Sequence, residues 1–323
     1  MPRALITGIS GQDGSYLSEY LLEKGYEVFG LVRRNSITEN QQSRLEKIST
    51  LITSYYGDLA DQGGIYRILD QVKPDEIYNL AAQSHVRVSF DIPQFTAQTN
   101  AVGVLNLLEA ARQTVPEARF YQASSSEMFG NSVDEDGRQR ETTPMHPVSP
   151  YGCAKLFGYS IVRNYRFSYG MFCSNGILFN HESPRRASNF VTSKIIKNAV
   201  AIYRGELDFL YLGNLDSKRD WGHAKDYVTA MHAILNHDTP DDFVISTGET
   251  HSIREFCSIV FGNLGLNYED YVRQDERFMR PQELEYLCGD STKAKKILNW
   301  SPKITFDQLV QDMLETYLND TKK

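Results

Sequence analysis

A phenol and an ammonium stand four residues apart in Tyr151-Gly152-Cys153-Ala154-Lys155, a spacing that places both on one face of a helix. Near its reference pKa of about 10 a tyrosine is a poor base at neutral pH, but a neighbouring cation favours tyrosinate. Lys155 is therefore expected to lower the phenol's pKa. Such a pair alone also describes an ordinary exposed helix face. Upstream, Ala123-Ser124-Ser125-Ser126-Glu127 gathers small hydroxyls and one carboxylate after the apolar Phe120-Tyr121. Taking hydride from a carbinol needs one base and a cofactor, whereas eliminating water also needs a proton abstracted beside the new ketone, and Glu127 is the carboxylate placed for that second task. The alternative for this cluster is a helix start, because serine followed by an acid is a common cap.

Hydride chemistry needs a dinucleotide, and the amino terminus offers a place for one. Gly8, Ser10, Gly11, Gln12, Asp13 and Gly14 lie in a Gly-x-x-Gly-x-x-Gly turn between the apolar run Arg3-Ala4-Leu5-Ile6-Thr7 and a helical pattern through Tyr16, Leu17, Tyr20 and Leu21. Missing side chains there let backbone approach a pyrophosphate, and the helix amino terminus faces its charge. After the second strand an NAD site usually carries an acid for the ribose hydroxyls, but here Arg33, Arg34, Asn35 and Ser36 follow. Paired guanidiniums suit a 2′-phosphate, so NADP is the expected cofactor, with a solvated surface pair as the alternative. Asp58 and Leu59 after a third strand, and Leu80, Ala81, Ala82, Gln83 and Ser84 after a fourth, fall where adenine and ribose contacts are expected.

These groups require a scaffold that brings strand ends together. Strands are expected at Tyr26 to Val32, Glu76 to Ala81, Phe120 to Ser124 and Phe172 to Phe179, and helices at Ile65 to Gln71, at Thr99 to Gln113 and from Tyr151 onward. Alternation of this kind predicts an α/β doubly wound parallel sheet with ligands at the carboxyl ends of its strands. Past residue 180 the pattern loosens, as where a smaller lobe is interwoven with returning pieces of the sheet, of which Asp226 to Leu235 and Phe243 to Thr247 are candidates. Among 323 residues, 41% are hydrophobic and 23% charged, and the net charge of −7 carries no basic excess that would suit nucleic acid or an anionic membrane. The amino terminus lacks a signal-peptide core and no run is long enough for a bilayer, so a cytoplasmic location is expected. Four scattered cysteines without Cys-x-x-Cys or paired-histidine spacing predict free thiols and no metal site.

From Gly8 to about Trp300 the chain resembles the GDP-mannose 4,6-dehydratases, a branch of the extended short-chain dehydrogenases. The resemblance rests on Gly-Ile-Ser-Gly-Gln-Asp at 8–13, Tyr-Asn-Leu-Ala-Ala-Gln-Ser-His at 78–85 and Ser-Ser-Ser-Glu-Met-Phe-Gly at 124–130. It continues through Ser-Pro-Tyr-Gly-Cys-Ala-Lys at 149–155, Ile-Leu-Phe-Asn-His-Glu-Ser-Pro-Arg-Arg at 177–186 and Lys-Arg-Asp-Trp-Gly-His-Ala-Lys-Asp-Tyr-Val at 218–228. It implies a Rossmann NADP domain over 1–180, with returning segments at about 222–250, and a mainly sugar-nucleotide-binding lobe over 181–323. It implies catalysis by Ser125, Glu127 and Tyr151 with Lys155, and cofactor contacts from His181 and Arg186. Sugar-nucleotide contacts are implied for Ser84, Asn180, Lys194, Arg219, Arg280 and Glu283, beside Ser125 and Glu127. The implied substrate is GDP-mannose or a close GDP-sugar. Such enzymes recycle NADP internally and form homodimers or homotetramers in which a double-arginine loop reaches the neighbouring cofactor.

Two departures stand out. Ser193 replaces an arginine of the family pattern, and Gln98-Thr99-Asn100-Ala101 replaces a more acidic stretch. Another GDP-hexose or GDP-heptose thus stays open as substrate. An epimerase or reductase on the same fold would share the glycine turn and Tyr151/Lys155, and Glu127 argues against it. A non-enzymatic NADP-sensing module would be expected to lose one of Glu127, Tyr151 and Lys155.

Overall fold

The computed structural model describes residues 1–33, 43–279 and 282–320. Seven strands form one parallel sheet: β1 Arg3–Thr7, β2 Glu27–Val32, β3 Ile52–Tyr56, β4 Glu76–Asn79, β5 Arg119–Ser125, β6 Cys173–Leu178 and β7 Asp242–Ile245. Their order is β7-β6-β5-β4-β1-β2-β3. Chain order therefore reverses between β1 and β4, and the crevice at that reversal is where open α/β sheets bind ligands. The doubly wound architecture expected from the sequence is thus observed.

Both sheet faces are covered, which is why the strands read as apolar runs rather than alternating ones. On one face α1 Gln12–Glu23 places Leu17 and Leu21 in a core shared with Tyr121, Met231 and Ile234. On the other, α2 Gln62–Val72, α3 Gly103–Thr114 and α4 Pro150–Tyr169 contribute Ile68, Leu69, Leu107, Leu108 and Val162. Each such aliphatic side chain contributes roughly 1.5–3 kcal/mol by leaving water. Asp61 starts α2 by accepting from Gly64 N (3.1 Å), and Ser149 starts α4 by accepting from Gly152 N (3.0 Å), with Pro150 in its first turn.

The helix expected over Thr99 to Gln113 begins with a π-helical turn, Gln98–Val102, before α3 takes over. The turn holds Asn100 buried, and its side chain accepts from Gln83 N and donates to Gln83 O, both at 2.8 Å.

The second lobe is built on α5 Val191–Tyr203. The chain then returns through α6 Ala224–Leu235 and β7, continues into α7 Ile253–Asn263, and ends on α8 Phe306–Asp320. The segment expected at Asp226 to Leu235 is thus a helix packed on α1, and only the next segment joins the sheet. Ile195, Ile196, Phe256, Phe261, Leu309 and Met313 make the lobe's own core. Where the lobes meet, buried Asp220 accepts from Thr247 N (2.8 Å), Thr247 Oγ1 (2.7 Å), Gly248 N (2.9 Å) and Gly289 N (3.2 Å). One carboxylate thereby knots three distant segments. No described helix is long and apolar enough to cross a membrane, and no described group of three His, Cys, Asp or Glu could hold a metal.

Candidate active site

The floor of the crevice is a relay of side chains at paired strand ends. Thr7, Asn79 and Gln122 are register partners across β1, β4 and β5. Thr7 Oγ1 donates to Asn79 Oδ1 (2.6 Å), and Asn79 Nδ2 donates to Gln122 Oε1 (2.8 Å). Thr7 Oγ1 also accepts from the backbone N–H groups of Leu80 and Ala81, each at 3.1 Å. The loops after β1 and β4 are thereby locked together.

That locking explains the glycine turn. Gly8 has φ +70°, and a Cβ on it would lie 2.9 Å from Ala81 N. A Cβ on Gly14 would lie 2.4 Å from Gly8 O. Gly11 caps α1 without any side-chain bond, so first-turn N–H groups remain available to an anion. This cradle fits a dinucleotide pyrophosphate. Gln12 is turned away from it, donating to His181 O (3.1 Å) and accepting from Ser183 Oγ (2.8 Å), while Ser10 O accepts from Arg44 (3.3 Å). Both brace the turn through other segments.

Asp13 faces the cavity and pairs with His181, whose Nε2 lies 2.7 Å from Asp13 Oδ2. His181 Nδ1 lies 2.8 Å from Phe179 O. Both ring nitrogens meet acceptors, an arrangement that favours the doubly protonated ring. Burial opposes charge on each partner. The neighbouring opposite charge outweighs it, holding the Asp13 carboxyl below its usual range and the His181 imidazolium above its own.

Ser125 ends β5 and caps the short 3₁₀ turn Ser126–Met128 by accepting from Glu127 N (3.3 Å). The capping interpretation of this cluster is observed, and Ser125 and Glu127 also line the cavity beside Tyr151. Ser125, Glu127, Tyr151 and Lys155 are all buried at 5–9% exposure and line one cavity of roughly 540 Å³. Burial pushes the Tyr151 phenol up to about 12. The Ser125 hydrogen bond works against that rise and the Glu127 carboxylate adds to it. Lys155 donates to Ala123 O (2.8 Å), with Nζ 5.7 Å from the Tyr151 ring centre, and burial pushes it down to about 8. The expectation that Lys155 lowers the phenol's pKa is thus not met in the protein alone. Spacing gave the shared helix face correctly, but it could not show that desolvation dominates.

Leu80, Ala82, Ser84, His181 and Arg186 line the same cavity, as do Asn180, Lys194, Arg219 and Glu283. Ala81, Gln83, Asp58 and Leu59 are not part of its lining: Asp58 is tied to Ala60 N (2.9 Å) and Leu59 is buried. Arg33 lies at the exposed end of β2, its guanidinium 5.4 Å from the Phe95 ring. Arg34, Asn35, Ser36 and Arg280 lie outside the described residues. Of the histidines without an assigned role, His85 reaches the cavity and bonds Asn189 O (3.2 Å), whereas His146 pairs with Ser132 (3.0 Å) and His223 with Asp312 (2.9 Å). Neither departure from the family pattern, Asn100 or Ser193, lines the cavity.

Sequence reasoning missed Trp221, Arg277, Phe278 and Phe190, which complete the far wall. Trp221 lies inside the 218–228 motif, and Arg277 shortly precedes Arg280-Pro281-Gln282-Glu283. Proximity to those segments was the available signal. Lys194 donates to Tyr211 O (2.6 Å) and sits 3.5 Å over Phe278.

A parallel sheet with a glycine cradle at its reversal, and Ser, Glu, Tyr and Lys in one cavity beside it, define an extended short-chain dehydrogenase/reductase of the nucleotide-sugar dehydratase and epimerase kind. A family model described as GDP-mannose 4,6 dehydratase matches residues 5–313. GDP-mannose 4,6 dehydratase 1 of Arabidopsis thaliana is 50% identical, covering 99% of this chain and 91% of its own, and the Homo sapiens enzyme is 49% identical, covering 96% and 90%. The dTDP-glucose 4,6-dehydratase of Streptomyces venezuelae, solved with NAD and TYD bound, superposes with TM-score 0.86 at 25% identity, covering 99% of this chain and 98% of its own. The chain belongs to the GDP-mannose 4,6-dehydratase family.

Proposed function

We propose that this protein is a cytoplasmic, homo-oligomeric, NADP-dependent lyase that converts GDP-mannose to GDP-4-keto-6-deoxymannose and water. The observation that carries the proposal is Glu127, a buried carboxylate beside Tyr151 and Ser125 in one cavity. GDP-mannose, rather than another GDP-sugar, is favoured because the two departures, Asn100 and Ser193, supply no side chain to the cavity lining.

The backbone of Gly8, Gly11 and Gly14 would hold the dinucleotide's pyrophosphate, Arg33 with Arg34 and Ser36 its 2′-phosphate, and Lys155 its ribose. When bound, NADP supplies the hydride acceptor for C4, the hydride returned to C6 and, when oxidised, a positive ring charge that favours tyrosinate. Tyr151 takes the proton of the C4 hydroxyl, and Ser125 steadies the C4 oxygen by hydrogen bonding. The C4 ketone makes the C5 proton acidic. Glu127 removes that proton and delivers it to the departing C6 hydroxyl, which leaves as water. Reduction at C6 and return of a solvent proton to C5 complete the deoxy sugar, and Tyr151 releases the proton it took to solvent. Asn180, Lys194, Arg219, Arg280 and Glu283 bind the sugar nucleotide, the cations meeting its diphosphate.

The test is Glu127→Gln mixed with GDP-mannose. It should fold, build up NADPH absorbance and release little deoxy product, while in heavy water only the unmodified enzyme places deuterium at C5. Normal product with normal C5 labelling in Glu127→Gln would remove the carboxylate from this role and leave the Ser125–Glu127 cluster a turn cap.

A further inference from the structure

Arg186 lines the cavity on a turn closed by its N–H bonding Ser183 O (3.0 Å). Its guanidinium forms an ion pair with Glu182 (2.9 Å) and lies over the Phe190 ring, 3.6 Å from its centre. The backbone of the turn is held from outside. Arg185 O accepts from Arg44 Nε (2.8 Å), and Arg186 O accepts from Ser193 Oγ (3.2 Å).

Ser193 is fully buried, and its oxygen is also 2.9 Å from the Tyr317 hydroxyl. A serine hydroxyl has one proton. Since a carbonyl can only accept, that proton goes to Arg186 O, and Tyr317 must donate to Ser193. The result is a directed relay, Tyr317 to Ser193 to Arg186. Its far end is anchored: on α8, Leu309, Val310, Met313 and Leu314 are buried in the lobe core, Asp312 bonds His223 (2.9 Å), and Leu318 O accepts from Arg204 (3.2 Å).

We propose that Tyr317 is a positioning residue which, through Ser193, sets the turn that aims Arg186 at the cofactor. The arginine of the family pattern has no hydroxyl to make this connection, so the device belongs to chains with serine here. The proposal rests on Arg186 being a cofactor contact, as the family resemblance implies, within the proposed function.

The test is calorimetric titration of the full-length protein with NADP. Tyr317→Phe keeps the ring and removes only the donor, so NADP affinity should fall about three- to tenfold, the scale of one lost hydrogen bond. Ser193→Ala should match it, and kcat at saturating substrate and cofactor should stay near normal in both. In an Arg186→Ala background, Tyr317→Phe should cause no further loss, whereas a merely structural role would lower affinity or melting temperature equally in both backgrounds. Equal losses in the two backgrounds, or none in the unmodified one, overturn the relay. If Arg186→Ala itself leaves NADP affinity unchanged, the cofactor assignment of Arg186 falls and takes this proposal with it. If Arg186→Ala weakens NADP and Tyr317→Phe does not, the relay alone is wrong.

Discussion

On the sheet side of the cavity, polar groups are bonded to one another across strands. Thr7, Asn79 and Gln122 form a continuous relay, Gln122 Nε2 and Lys155 Nζ share Ala123 O, and Ser125 accepts from Glu127 N. On the lobe side, the cations have local partners: Lys194 bonds Tyr211 O, Arg219 bonds Lys218 O at 2.9 Å, and Arg277 bonds Asp275 two residues away. The Arg277 side chain is 81% exposed, against 7% for Glu127 as a whole residue. Groups that move protons need one fixed geometry, since small misplacements are costly in rate. Groups that neutralise a diphosphate need charge within reach and tolerate adjustment. The two walls therefore predict different mutational signatures, rate loss on the sheet side and affinity loss on the lobe side.

The largest effect is expected at Tyr151. Tyr151→Phe keeps the buried ring but removes the acid–base group, so kcat should drop about a hundredfold or more while GDP-mannose binding, measured by calorimetry, stays within a few-fold. Near-normal turnover in the folded variant would erase the distinction between the walls.

Arg219→Ala should do the reverse, raising KM for GDP-mannose by roughly tenfold or more, the scale of one charge-assisted hydrogen bond, with a smaller change in kcat. Steady-state kinetics decides it. A loss confined to kcat would move Arg219 to the chemical wall.

Smaller, and specific to the cofactor, is replacement of Arg33 and Arg34 by uncharged residues. NADP affinity should fall far more than NAD affinity. Equal losses would assign the pair to the solvated surface.

The smallest effect concerns the ion pair where the walls touch. His181 is held charged by Asp13, so its stabilising contribution is fully present below the ordinary histidine pKa and is lost as pH rises through its raised folded value. Asp13 contributes in the opposite sense, above the ordinary carboxyl pKa, and loses its contribution as pH falls through its depressed folded value. Asp13→Asn should lower the His181 titration, followed by NMR of the imidazole, since burial is then opposed only by the bond to Phe179 O. An unchanged titration would show that Asp13 is not the partner that matters.

The sheet wall is largely legible in the sequence. Its residues sit at the ends of consecutive apolar runs, and an all-parallel sheet has one carboxyl edge, so Gly8, Ser84, Glu127 and Tyr151 had to converge. Even there, register alone revealed that Thr7, Asn79 and Gln122 are bonded side by side. The lobe wall was legible only through whole-motif resemblance, because Asn180, Lys194, Arg219, Arg277 and Glu283 come from segments with no common periodicity. Asn100 and Ser193 show the limit most plainly. Both fall in stretches that depart from the family pattern near the supposed sugar pocket, and both bond backbone carbonyls instead.

By itself, then, the order of residues determined the parallel sheet, the glycine cradle and the shared helix face of Tyr151 and Lys155, because strand alternation, the absence of a Cβ and the 3.6-residue helical repeat are local properties. Only the tertiary structure decided that Tyr151 is a phenol raised to about 12 rather than a lowered one, that Asp13 raises the His181 imidazolium's pKa, and that Tyr317 reaches Arg186 through Ser193. Those depend on how much water is excluded and on which distant group supplies the neighbouring charge or proton, quantities set by packing between segments far apart in the chain.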